Sequence, residues 1–133
     1  MSSYATTADF DVHGIRPEAL PAGITSDTKA AAITAASGRA DSYLGARFRL
    51  PLASWGDDLK QVVCKLAAYE LVATLLVFQP DPATNAVLVD RKNDAVRWLE
   101  SVAANKATPT GIVDSAPVAS SVARVYSSTK RGW

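Results

Sequence analysis

Few residues in this chain could carry chemistry. His13 is the single histidine and Cys64 the single cysteine, so neither a multi-histidine metal site nor a nucleophile with its base can be drawn. His13 precedes Gly14 at an expected helix end, where a cation complements the C-terminal dipole. Cys64 lies among Val63, Leu66 and Ala67, where a thiol acts as a small hydrophobe with a raised pKa. The adjacent carboxylates Asp57 and Asp58 precede an apolar helix and read as partners of its N-terminal dipole rather than as an acid–base or metal pair. No G-x-x-x-x-G-K-[ST], G-x-G-x-x-G or C-x-x-C pattern occurs, so nucleotide, dinucleotide and zinc signals are missing. The expectation is a protein without cofactor, metal or enzymatic activity.

What remains is basic and aromatic. Arg47-Phe48-Arg49 joins two cations to a ring at the end of an expected helix, where cations are electrostatically favoured. Near the carboxyl terminus, Val122, Arg124, Val125 and Tyr126 are followed by Lys130, Arg131 and Trp133. Arg, Tyr and Trp dominate binding energetics at interfaces, so these residues are expected to dock on another molecule.

The elements that must position them fit one domain. The 133 residues are 48% hydrophobic, 20% charged and 8% aromatic, a globular composition. Fourteen Lys and Arg against thirteen Asp and Glu leave a net charge of +1, too small for charge alone to hold nucleic acid or an acidic membrane. A lone cysteine and an amino terminus without a basic-then-apolar run point to folding in a reducing cytosol. The longest uncharged apolar piece, Leu71 to Phe78, falls well short of the roughly 20 residues of a membrane span.

Periodicity organises the first four-fifths of the chain. Thr6 or Thr7 caps a short helix that Gly14 ends, and Leu20 is an apolar anchor in the Pro- and Gly-broken linker that follows. Ser26 or Asp27 caps a helix over about 26–48, whose face carries Ile33, Ala36, Ala40, Tyr43, Leu44 and Arg47. Its small residues Ala32, Ala36 and Ala40, with Tyr43, are expected to pack between subunits. Leu50-Pro51-Leu52 forces a turn. Gly56-Asp57-Asp58 opens an almost entirely apolar helix to about Gln79, and Thr84 or Asn85 opens a fourth to about Asn105. Short connections between long helices imply antiparallel neighbours. The expected fold is all-α: an antiparallel bundle of three long helices plus a short N-terminal one over 1–105, with an extended C-terminal arm over 106–133. In that arm the helical period is lost, and it cannot bury enough apolar surface alone to offset its ordering entropy.

Ala40-Asp41-Ser42-Tyr43-Leu44-Gly45-Ala46-Arg47-Phe48-Arg49-Leu50-Pro51-Leu52, then Leu59-Lys60 and Ala67-Ala68-Tyr69-Glu70-Leu71, resemble the Mu-like phage head-to-tail joining proteins. Tyr4-Ala5-Thr6 and the basic, aromatic ending from Arg124 to Trp133 resemble the two ends of that family. The sequence departs from its pattern at Ser54-Trp55-Gly56 and at the turn from Gln79 to Pro82. The resemblance implies a helical adaptor assembled in the host cytoplasm into a virion neck. It implies a homo-oligomeric, dodecameric ring between the portal protein and a downstream neck or tail protein (stopper or terminator), with genomic DNA passing through and no membrane partner. In that setting Arg47, Arg49, Leu50, Pro51 and Leu52 form the inter-helix turn.

The competing class is a small helical DNA-binding regulator, with the turn from Leu50 to Gly56 as a helix-turn-helix. The next helix carries Val62, Val63, Leu66, Ala67, Leu71 and Val72, residues of a core rather than of a basic reading face.

Overall fold

The computed structural model describes residues 3–19, 24–73 and 81–113. In these, α1 (Thr7–His13), α2 (Ser26–Leu44), α3 (Asp57–Ala73) and α4 (Pro82–Ala103) follow in chain order, with a 3-10 turn at Pro17–Ala19 between the first two. The fold is all-α, as expected; the single β feature among the described residues is an isolated bridge between Ser54 and Val113.

Each helix starts where a side chain can satisfy its free amides. Thr6 accepts from the Asp9 amide while the Asp9 carboxylate accepts from the Thr6 amide, a closed capping box. Its hydrogen bonds hold the Asp9 carboxyl below the usual carboxylate range. Thr25, not Ser26 or Asp27, caps α2 by accepting from the Thr28 amide; Asp27 instead joins the first turn, where the dipole favours it. Asp81 caps α4 with Pro82 at the first helical position. That helix therefore begins before Thr84, because a proline that stops one helix has its φ already set for starting another.

The helix ends differ from expectation for similar local reasons. α2 stops at Leu44 rather than 48: Ala46 and Arg47 donate to the carbonyls three residues back, at 3.2 and 3.0 Å, so the ladder tightens into a turn before Leu50. α4 stops at Ala103 rather than Asn105. Asn105 takes a left-handed φ of 63°, its amide reaches the Val102 carbonyl at 3.0 Å, and the Lys106 amide reaches Ser101 at 2.7 Å, a Schellman closure. Leu20 and the expected end of α3 near Gln79 lie outside the described residues.

α3 is the central element and packs against the other three helices. Leu59, Val63, Leu66, Ala67 and Leu71 along it are essentially inaccessible, as are Phe10 of α1, Ile33 and Leu44 of α2 and Leu99 and Val102 of α4. Burying each large side chain contributes about 1.5–3 kcal/mol. Ala32, Ala36 and Ala40, expected between subunits, are wholly buried in the chain's own core. They leave no side chain to hold α2 away from its neighbours, so the small residues serve packing inside one chain. Tyr43 is half-buried against the same core.

Polar ties join the helices outside the core. Lys29 of α2 meets Asp11 of α1 at 2.7 Å, and Arg91 of α4 donates to the Gly14 carbonyl at 3.2 Å. Lys92 of α4 lies 4.9 Å from the Tyr69 ring centre on α3.

Candidate functional site: the anchored base of the carboxyl-terminal segment

Three stretches meet at one end of the bundle: the segment before α1, the turn from α2 to α3, and residues 106–113 after α4. Their sequences have no helical period, so their backbone groups must find partners elsewhere.

Arg47 reaches across from the α2 end to the α4 end. Its guanidinium donates to the Ala107 carbonyl at 2.7 Å and the Val102 carbonyl at 3.4 Å, and its Cζ lies 5.2 Å from the Phe48 ring centre. The cation thus serves carbonyls at the negative end of the α4 dipole. Arg49 and Pro51 are exposed, Leu50 is half-buried, and Leu52 enters the core. The inter-helix turn is an intramolecular brace through Arg47 and Leu52.

Residues 106–113, the first part of the expected arm, lie against the body. The Val113 amide donates to the Ser54 carbonyl at 3.1 Å, and the Ala53 amide to the Val113 carbonyl at 2.7 Å. Ser54 Oγ donates to the Gly111 carbonyl at 3.0 Å, and the Thr110 amide to Asp58 Oδ2 at 2.7 Å. Two glycines permit this approach. A Cβ on Gly56 would sit 2.6 Å from the Thr110 carbonyl oxygen, and Gly111 has a φ of +66°, which side-chain-bearing residues rarely adopt.

The Trp55 side chain links this turn to the amino-terminal segment. Its indole N–H donates to the Tyr4 carbonyl at 2.9 Å, and the two rings meet edge to face with centroids 4.8 Å apart. Tyr4 is 1% exposed. Its amide donates to Ser37 Oγ at 3.0 Å, and its hydroxyl donates to the Asp41 carboxylate. Burial, then the Asp41 hydrogen bond and charge, push the phenol well above its ordinary value.

Asp58 is more than a dipole partner, since its other oxygen accepts from the Leu59 amide at 2.8 Å. Cys64 is wholly buried, and burial, reinforced by Asp9 and opposed by Lys60, pushes its thiol up to about 12. His13 is in the last turn of α1. Among the described residues no group of three His, Cys, Asp or Glu side chains could hold a metal ion, and no helix is long and apolar enough to cross a membrane. The helix after the turn that the competing reading takes as a helix-turn-helix, α3, buries most of its surface in the core.

Val122, Arg124, Val125, Tyr126, Lys130, Arg131 and Trp133 lie outside the described residues. Sequence reasoning missed Tyr4, Asp41 and Trp55 as an interlocked set. The one available signal was an aromatic residue beside a glycine in a turn, at Trp55-Gly56.

The family described as Bacteriophage Mu, Gp36, has a model that matches residues 6–126 of this chain. No curated protein matches it.

Proposed function

Because the chain belongs to the bacteriophage Mu Gp36 family, a family of phage structural and morphogenesis proteins, we propose that it is the head-to-tail adaptor of a tailed-phage neck. Copies assemble as a ring of twelve beneath the portal. The ring joins the portal protein to the next neck or tail protein and lines the channel through which DNA leaves. A formal net charge of +1 suits a passage that must not retain a polyanion. No catalytic step is part of this role.

One observation carries the reading: residues 106–113 are tied to the body by Val113–Ser54 and Thr110–Asp58 hydrogen bonds. The segment beyond, with Arg124, Val125, Tyr126, Lys130, Arg131 and Trp133, therefore starts from a fixed point on a rigid body. An anchored base lowers the entropic cost of docking whatever follows it in the chain.

Light scattering on the purified protein, alone and with a candidate portal, tests the proposal. An annular oligomer, formed alone or on the portal, is expected. A species that stays monomeric under both conditions, or a dimer that binds one duplex sequence tightly, would overturn it.

A further inference from the structure

A groove of about 250 Å³, lined by residues of α3 and α4, runs between these two helices. Val62 and Ala95 form its floor, and Asp58, Lys65, Asp94 and Trp98 stand along its walls. Trp98 is half-buried, and among the described residues its indole N–H has no acceptor and the Lys65 ammonium no ion pair. A half-buried indole donor beside two carboxylates has the make-up of a cleft for an extended segment. The ring covers apolar side chains, the indole and ammonium donate to backbone carbonyls, and the carboxylates take cations.

Resting on the adaptor reading, we infer that this groove receives the carboxyl-terminal segment of a neighbouring copy of this chain. Charge supports that occupant. Residues 114–133 carry Arg124, Lys130 and Arg131 against the one carboxylate Asp114, while the groove carries two carboxylates against one ammonium. Apolar Val122, Val125 and Tyr126 alternate with or adjoin those cations, as a segment laid over Val62, Ala95 and Trp98 requires.

Chain direction favours a neighbour's segment over the chain's own. The groove extends along α3 from Asp58 towards Lys65. The backbone from Thr110 to Val113 runs the other way, from Asp58 past Gly56 to Ser54 and Ala53. At Val113 the chain is leaving the groove's near end. Residues 114–133 could extend up to roughly 66 Å at about 3.3 Å per residue, enough to reach an adjacent subunit. The Asp58 and Asp94 oxygens already accept from Thr110 and Arg97, at 2.7 and 3.0 Å, but each carboxylate oxygen can accept again.

The test places a photo-reactive benzophenone amino acid at exposed Gln61, on the groove rim, in the full chain. Light- and heavy-nitrogen subunits are mixed, irradiated and mapped by mass spectrometry. Mixed-isotope cross-links from position 61 to peptides within 114–133 are expected, weakened about tenfold by Asp94→Lys, the scale of one close charge pair. An oligomer whose position-61 cross-links fall elsewhere, or join only same-isotope partners, overturns the groove assignment and leaves the adaptor reading standing. A chain that stays monomeric with and without portal and yields no mixed-isotope product overturns both.

Discussion

The backbone amide of Thr110 donates to the Asp58 carboxylate at 2.7 Å, and that carboxylate also takes the Leu59 amide at 2.8 Å. A single side chain in the first turn of α3 therefore holds both its own helix start and the segment leaving α4. Replacing Asp58 by Ala removes two charge-assisted bonds and a favourable dipole contact, and should cost about 2 kcal/mol in urea unfolding. Asp58→Asn keeps an acceptor and should cost less. Amide exchange at Thr110 should accelerate in both, and an unchanged Thr110 rate in Asp58→Ala would rule out the tie.

The close approach of Gly56 to Thr110 gives a sharper test of the same junction. A methyl at position 56 would lie 2.6 Å from the Thr110 carbonyl oxygen, a backbone atom that cannot swing aside. Gly56→Ala should detach residues 106–113, which proteolysis after Lys106 would detect as faster cleavage. Gly111→Ala, with φ at +66°, should add about 1 kcal/mol of strain and act in the same direction.

The helical body was legible because its signals are local. The cap at Thr6 or Thr7, the stop at Gly14 and the apolar faces of α2, α3 and α4 are set within a few residues. The junction was not, because it is built from backbone groups and distant pairs. Trp55 meets the Tyr4 carbonyl and Arg47 meets that of Ala107, and neither separation leaves a periodic trace. Ala32, Ala36 and Ala40 show the remaining ambiguity: spacing identifies a close-packed face but not whether the neighbour belongs to the same chain. The residues expected to dock, from Val122 to Trp133, were singled out by composition alone and lie outside the described residues.

Alkaline stability should carry two steps. In the native chain the Cys64 thiol and the Tyr4 phenol hold their protons more firmly than in the unfolded one, whose ordinary values are 9.0 and 10.0. The native state then binds more protons, so stability is complete below pH 9 and falls as the pH rises. The Cys64 contribution falls between pH 9 and about 12; the Tyr4 decline begins near 10.0. Denaturant midpoints against pH should flatten over the first window in Cys64→Ala and from pH 10 upward in Tyr4→Phe. Parallel curves for wild type and both variants would refute the assignment.

The indole of Trp55 should matter beyond its bulk. Trp55→Phe keeps a ring near Tyr4 but leaves the carbonyl of a residue 1% exposed without its donor, a loss of about 1–3 kcal/mol. Tyr4→Phe removes only the hydroxyl that donates to Asp41 and should cost about 1 kcal/mol at neutral pH. A Trp55→Phe variant as stable as wild type in guanidinium titration would mean the indole N–H contributes nothing.

The role of the small residues on α2 can be decided by adding bulk on its two sides. Ala36 is 0% exposed, and Leu there must displace packed atoms of the core, costing about 1–3 kcal/mol or more. Ala31 lies on the exposed side of the same helix, where Leu should change monomer stability by no more than about 0.5 kcal/mol. Thermal unfolding measures the first effect. Light scattering on Ala31→Leu then reports whether the outer face of α2 meets another copy. If Ala36→Leu folds as well as wild type but alters oligomer size, the small residues pack between subunits and the intramolecular assignment of that face is wrong.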